Sequence, residues 1–189
     1  MSRKRRYALT AVLLLLPLIG VGMAKVGWIL YTGGPYQGQV LDAETRQPLE
    51  GAVAFFKWDR RVYSLVEPKT RFLSAVEVLT DKEGRFHVPW FVGTSLTPFS
   101  IVLKPTWFVY YPGYKSEQVV VTPRTGTSLK DPTLIFKRRI LDREERLRSV
   151  DVLPGGVPDQ TMPNLIRLMN KERTALGLKP VHVLPGSGR

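Results

Sequence analysis

The sequence predicts an all-β fold, an antiparallel sandwich of short strands with a hydrophobic helix before it and a helical tail behind it. Three observations carry that reading. From Tyr36 onward the apolar residues recur with a period of two rather than 3.6. Turn-forming Gly and Pro, 16 and 15 among 189 residues, break the chain at intervals near ten. Ahead of this region, Tyr7 to Ala24 is a run of 18 residues without a charge.

The N-terminal run follows Arg3, Lys4, Arg5 and Arg6 and contains Val12 to Leu16. At ~1.5 Å per helical residue it spans about 27 Å, close to the ~30 Å apolar core of a bilayer. Basic residues before the span hold the N-terminus in the cytoplasm, so the rest of the chain is exported. Two outcomes stay open. Gly22-Met23-Ala24 offers the small residues read at a signal-peptidase site, with cleavage after Ala24. Alternatively residues 7–31 remain as a membrane anchor, with Trp28 and Tyr31 at the outer interface.

The strands follow in order. Val40 and Asp42 open the first, and Asp42 to Pro48 is a polar turn in which Asp and Thr bond backbone amides. Gly51 to Trp58 is the second. Ser74 to Thr80 is the third, with Ala75, Glu77 and Leu79 on one face and Val76 and Val78 on the other. Thr80 to Phe86 is a tight hairpin in which Asp81 caps the turn and Gly84 takes positive φ. Phe86 and Val88 then face one side, Arg85 and His87 the other. Further strands are expected at Phe99–Leu103, Trp107–Tyr111, Lys115–Val121 and Pro132–Phe136. Asp59–Leu73 and Trp90–Pro98 read as long connections, the places where a specific function would lie.

These residues also carry a resemblance. Gly38, Val40, Asp42, Thr45, Pro48, Leu49, Gly51, Ala52 and Ala54, then Thr80-Asp81 with Gly84 and Phe86, then Pro112-Gly113-Tyr114, arrive in an order that resembles the carboxypeptidase regulatory-like domain. That family belongs to the transthyretin-like, or prealbumin-like, sandwiches. The resemblance covers residues 35–137. It implies seven or eight antiparallel strands, export, and no catalytic role. It also implies that Asp42, Gly51, Asp81, Gly84 and Gly113 shape turns rather than bind a ligand.

The tail, residues 138–189, holds two helical candidates. Leu141 to Val150 is short and highly charged. After a Pro/Gly linker, a second helix is expected from Met162 to Leu176, with Thr161 as N-cap, Pro163 in its first turn and Gly177 stopping it. Its narrow stripe of Leu165, Leu168, Met169 and Leu176 either docks on the sandwich or meets a partner or membrane.

Composition excludes several chemistries. The chain has no Cys, so there is no disulfide framework and no thiolate site. His87 and His182 lie far apart in sequence, and neither has a Glu or His at helical ligand spacing, so no zinc centre and no cofactor are expected. No G-x-S-x-G, P-loop or dinucleotide fingerprint occurs. Asp42/Glu44 and Asp81/Glu83 lack the spaced ligand set of a calcium loop and read as turn caps. The net charge of +12 is unevenly spread, for residues 35–136 carry 12 basic and 10 acidic side chains. A nucleic-acid binder shows a basic face on its folded unit, so no nucleic-acid partner is expected. Lys137-Arg138-Arg139 reads as a solvated face with Asp142, Glu144 and Glu145 nearby.

The aromatics supply the candidate interaction surface. Trp107 to Tyr111 places rings on both faces of one strand, and one face is expected to expose some of Trp107, Phe108 and Tyr110, with Trp58 and Trp90 beside them. Flat rings with polar tips suit a protein hot spot or a stacked sugar. The expected function is a non-enzymatic envelope protein, anchored to the inner membrane facing the periplasm or exterior, or secreted. Its sandwich serves as a binding or structural module for a protein or polysaccharide partner. The alternative is an accessory carbohydrate-binding module using the exposed aromatics.

Overall fold

Two β-sheets and one helix stack in three layers in the computed structural model, which describes residues 30–64, 67–94, 99–116, 118–120, 133–151 and 153–181. The body is mostly strand, as expected. The hydrophobic helix expected before it lies outside the described residues. Among the described residues no helix is long and apolar enough to cross a membrane. The first strand, β1 (Leu30–Gly33), already takes in Tyr31, the last residue of the expected anchor, and packs it on Phe91.

The first sheet has the order β10-β2-β5, built from β2 (Tyr36–Asp42), β5 (Arg85–Val88) and β10 (Thr133–Lys137). In β2, buried and half-exposed residues alternate along the whole strand, as a sheet with one covered face requires. One expectation needs correction here. β10 pairs with β2 in parallel, Ile135 beside Val40, so the sandwich is not wholly antiparallel. Turn chemistry fixes hairpin partners, but nothing local fixes the direction of a strand that returns from across the fold.

The second sheet has the order β4-β3-β8-β9, from β3 (Val53–Val62), β4 (Lys69–Leu79), β8 (Thr106–Tyr110) and β9 (Gln118–Val120). A short strand β7 (Ser100–Val102) pairs with the far half of β3. The residues expected as an Asp59–Leu73 loop are instead mostly strand. β3 and β4 form one long hairpin, with a register shift after Trp58 that leaves Leu73 as the extra residue. Charged residues at Arg60, Arg61, Lys69 and Arg71 hide the two-residue period there, because that part of the ribbon has no core to face. The Trp90–Pro98 connection likewise holds a strand, β6 (Phe91–Thr94), paired with β1.

The core between the sheets contains Tyr36, Val40, Ala54, Phe56, Trp58, Phe86, Val88, Trp107 and Val109. The opposite face of the second sheet presents Val53, Phe55, Phe108 and Tyr110, which the tail covers. The tail forms α1 (Arg143–Ser149), capped by Asp142, and α2 (Pro163–Ala175). Leu165, Ile166 and Met169 of α2 are at most 1% exposed against that sheet. Full burial of such side chains is worth ~1.5–3 kcal/mol each, enough to dock a helix of this length. Thr161 is not the N-cap. Met162 stands there without a side-chain acceptor, and Glu77 of β4 takes over, accepting from Asn164 N at 2.6 Å and Leu165 N at 2.9 Å.

Candidate interaction surface

The expected aromatic platform is not on the surface. Trp58 is 1% exposed, Trp107 4%, Phe108 2% and Tyr110 2%. Both faces of β8 are covered, and this is the physical reason. Trp107 points into the core between the sheets and stacks on Phe56 at 5.5 Å between centroids. Phe108 and Tyr110 point the other way, beneath α2. Trp58 stacks on Phe91 at 4.1 Å. Of the five rings only Trp90 is open to solvent, between β5 and β6. An isolated strand shows two aromatic faces, but only the docked tail says that neither is free.

The buried polar atoms of this region serve packing. The Tyr110 hydroxyl has no hydrogen-bond partner among the described residues, and its pKa is raised by burial and then by the nearby charge of Glu172. Arg146 of α1 donates to Glu172 of α2 through Nε at 2.9 Å and through a terminal nitrogen at 2.6 Å, tying the two tail helices together. The Glu172 side chain is only 5% exposed.

The five motif residues stand at turns. The buried Asp42 carboxylate accepts from Glu44 N and Thr45 N, each at 2.8 Å, and from the Tyr114 hydroxyl at 2.7 Å. The backbone amide of Thr45 and then the Tyr114 hydroxyl hold its pKa down to about 2. The Tyr114 hydroxyl is pushed up to about 12 by burial and by its bond to Asp42. Asp81 Oδ1 accepts from Glu83 N at 3.0 Å and Arg85 N at 2.8 Å, closing the β4–β5 turn. Gly51, Gly84 and Gly113 have φ of 75°, 71° and 78°. At Gly84 an added Cβ would lie 2.5 Å from the carbonyl oxygen of Val40. Among the described residues no three His, Asp or Glu gather as metal ligands.

One sheet face is left uncovered by either helix. On the outer side of β10-β2-β5, residues meet in registered rows. Leu134, Gln39 and Arg85 form one row, Gln37 and His87 another, and Phe136 and Leu41 a third. Leu134 is 56% exposed and Phe136 45%, with the Arg46 guanidinium 4.2 Å above the Phe136 ring centre. A groove of about 710 Å³ opens across this face and the β5–β4 edge, lined by Gln37, Gln39, Arg85, His87 and Leu134 and, at the edge, by Leu79 and the turn residue Asp81. Apolar side chains, two amides and two basic groups side by side make a surface able both to bury area and to direct hydrogen bonds. The alternation in β2 and β5 marks the polar half of this face in the sequence. Its apolar half has no such signal, because nothing local in the strand expected at Pro132–Phe136 says which side turns outward. Of the run Lys137 to Arg139, expected to be solvated, Lys137 is buried and Arg138 pairs with Glu145 at 2.6 Å.

No family model matches the chain, and no curated protein matches it. Among solved structures, a 9R-lipoxygenase from Cyanothece PCC8801 aligns with 57% of this chain at 13% identity and a TM-score of 0.25. The chain spans 16% of the length of that protein. A likeness at that score carries no argument about fold or function.

Proposed function

We propose that this chain is a non-enzymatic protein of the cell envelope, anchored by the apolar run ahead of Leu30 or exported, whose sandwich is a binding or structural module. The uncovered outer face of β10-β2-β5 carries the reading. Among the described residues the tail seals the aromatic face of the second sheet and none covers the outer face of the first, with its groove and exposed Leu134 and Phe136. The motif carboxylates of Asp42 and Asp81 are engaged in holding turns, which supports structural duty for them and fits the resemblance to carboxypeptidase regulatory-like sandwiches. The partner is an envelope protein or polysaccharide that meets apolar, amide and basic groups together. Burial of four of the five candidate rings weighs against a stacked-sugar platform.

Site-specific photo-crosslinking in cells tests this. A benzophenone side chain at Leu134 should give an adduct of discrete mass that Arg85→Glu weakens. The same probe at Arg148, whose side chain is 80% exposed on α1, should not. Identical adduct patterns from the two positions would count against the open face as the contact surface.

A further inference from the structure

The β3–β4 hairpin outruns the sandwich. Beyond Trp58 it continues to Val62 and returns from Lys69, with β7 zipped to its other side. Strand residues rise ~3.3 Å each, which carries the tip about 13 Å past Trp58. β6 runs alongside, for Phe91 stacks on Trp58 and a Cβ at Gly93 would lie 3.3 Å from the Leu73 side chain. The chain enters the described body at Leu30, which pairs with Thr94. That is the end of the β1–β6 ribbon farther from β2, since Gly33 pairs with Phe91. Four residues separate Thr94 from Phe99 in the sequence, and the Phe99 carbonyl accepts from Tyr63 N at 2.8 Å at the hairpin tip. Chain entry and hairpin tip therefore lie at one end of the molecule.

That end is both apolar and cationic. Phe99 is 80% exposed and Tyr63 46%. Arg61, Lys69 and Arg71 are exposed, and among the described residues they take part in no ion pair. Asp59 is engaged with Lys57 at 3.1 Å, which leaves Glu67 as the carboxylate of the described tip residues. Arg60 and Arg71 stand directly opposite each other across the ladder, with Lys69 two residues along on the same face. Like charges so placed destabilise a sheet unless an anion lies between them. The Arg60 Nε is buried and has no hydrogen-bond partner among the described residues.

We propose that this end, with Phe99 and Tyr63 flanked by Arg60, Arg61, Lys69 and Arg71, rests on the anionic phospholipid headgroups of the membrane from which the chain emerges. The inference rests on the reading of the apolar run ahead of Leu30 as a retained anchor. With β1 beginning at Leu30, hardly any linker separates the apolar run from the folded body, so whatever surrounds the entry point is held against the bilayer. Basic side chains are drawn to anionic headgroups, and aromatic rings settle at the same depth.

The chain has no Cys, so single-Cys variants can be labelled cleanly. The full chain is reconstituted in nanodiscs of phosphatidylcholine with phosphatidylglycerol, with a fluorophore at Phe99→Cys or at Leu134→Cys, and quenched by headgroup-spin-labelled lipid. Quenching should be several-fold stronger at Phe99→Cys. Adding Arg61→Glu, Lys69→Glu and Arg71→Glu should remove most of that difference. Equal quenching at the two positions, in protein that resists carbonate extraction, overturns the headgroup contact and leaves the anchor standing. An unchanged ratio in the triple variant overturns the role of the cations. Release by carbonate, or a mature N-terminus at Lys25, overturns both readings together.

Discussion

Replacing Glu77 with Ala tests whether the second sheet holds the tail helix by its first turn. The Glu77 carboxylate accepts from two backbone amides of α2, at Asn164 and Leu165. The helix brings no acceptor of its own, since Met162 cannot cap and the Thr161 hydroxyl donates to the Pro158 carbonyl at 2.7 Å. Capping oxygens are worth ~0.5–2 kcal/mol, and a negative charge at a helix N-terminus adds ~0.3–1 kcal/mol. Glu77 is only partly buried, so water replaces some of what is lost. A cost of about 2 kcal/mol follows, and for a body of this size each kcal/mol moves the melting temperature by ~2–4 °C. The expected fall is about 4–8 °C for Glu77→Ala and roughly half that for Glu77→Gln, which keeps one uncharged acceptor. Near-UV circular dichroism of the full chain in mild detergent reads the melting temperature. Hydrogen exchange should show lost protection in α2 with the β2–β5 amides unaltered. A variant that melts with the wild type and keeps α2 protected would refute the idea that the sheet caps the helix.

Other outcomes follow from the same geometry. Gly84→Ala should destabilise well beyond Gly51→Ala: both need positive φ, at ~1–2 kcal/mol, but only at Gly84 does a Cβ meet a carbonyl oxygen at 2.5 Å, and urea titration of the two variants compares them. Arg146→Ala leaves the buried Glu172 unpaired and should cost about 2 kcal/mol, less than for a wholly buried pair because the guanidinium is about a third exposed; adding Glu172→Gln should recover part of it. Asp42 has a folded pKa near 2, below its ordinary value of 3.8, so its contribution to stability is complete above about pH 4 and fades as the pH falls through 2. Thermal melts between pH 2 and 6 should show this acid-side loss reduced in Tyr114→Phe, which removes one of the bonds that depress the pKa.

Local chemistry made much of the fold legible. Val76 and Val78 on one face of β4, with Ala75 on the other, follow from strand period alone, and the structure buries the two groups in different cores. The Asp42 and Asp81 turns follow from short side chains that reach their own backbone amides. Gly177 ends α2 with φ of 80°, as its position after the last apolar residue predicts. Where the local signal fades, the expectations fail. Arg60 to Val62 and Lys69 to Arg71 pair as strands although no core selects their side chains, so no alternation records them.

The sequence by itself determined the all-β class, the core-facing strands, the turns, the apolar run ahead of the body and the two tail helices, because each follows from side chains reaching only a few residues along the chain. The tertiary structure alone decided which surfaces are free. The rings of Phe108 and Tyr110 are hidden because α2 lies on them, some 55 residues later in the chain, and Leu134 and Phe136 are exposed because β10 joins β2 in parallel with its apolar side turned outward. Exposure is a property of what packs against a residue, and two distant segments meet through long-range burial that no local spacing encodes.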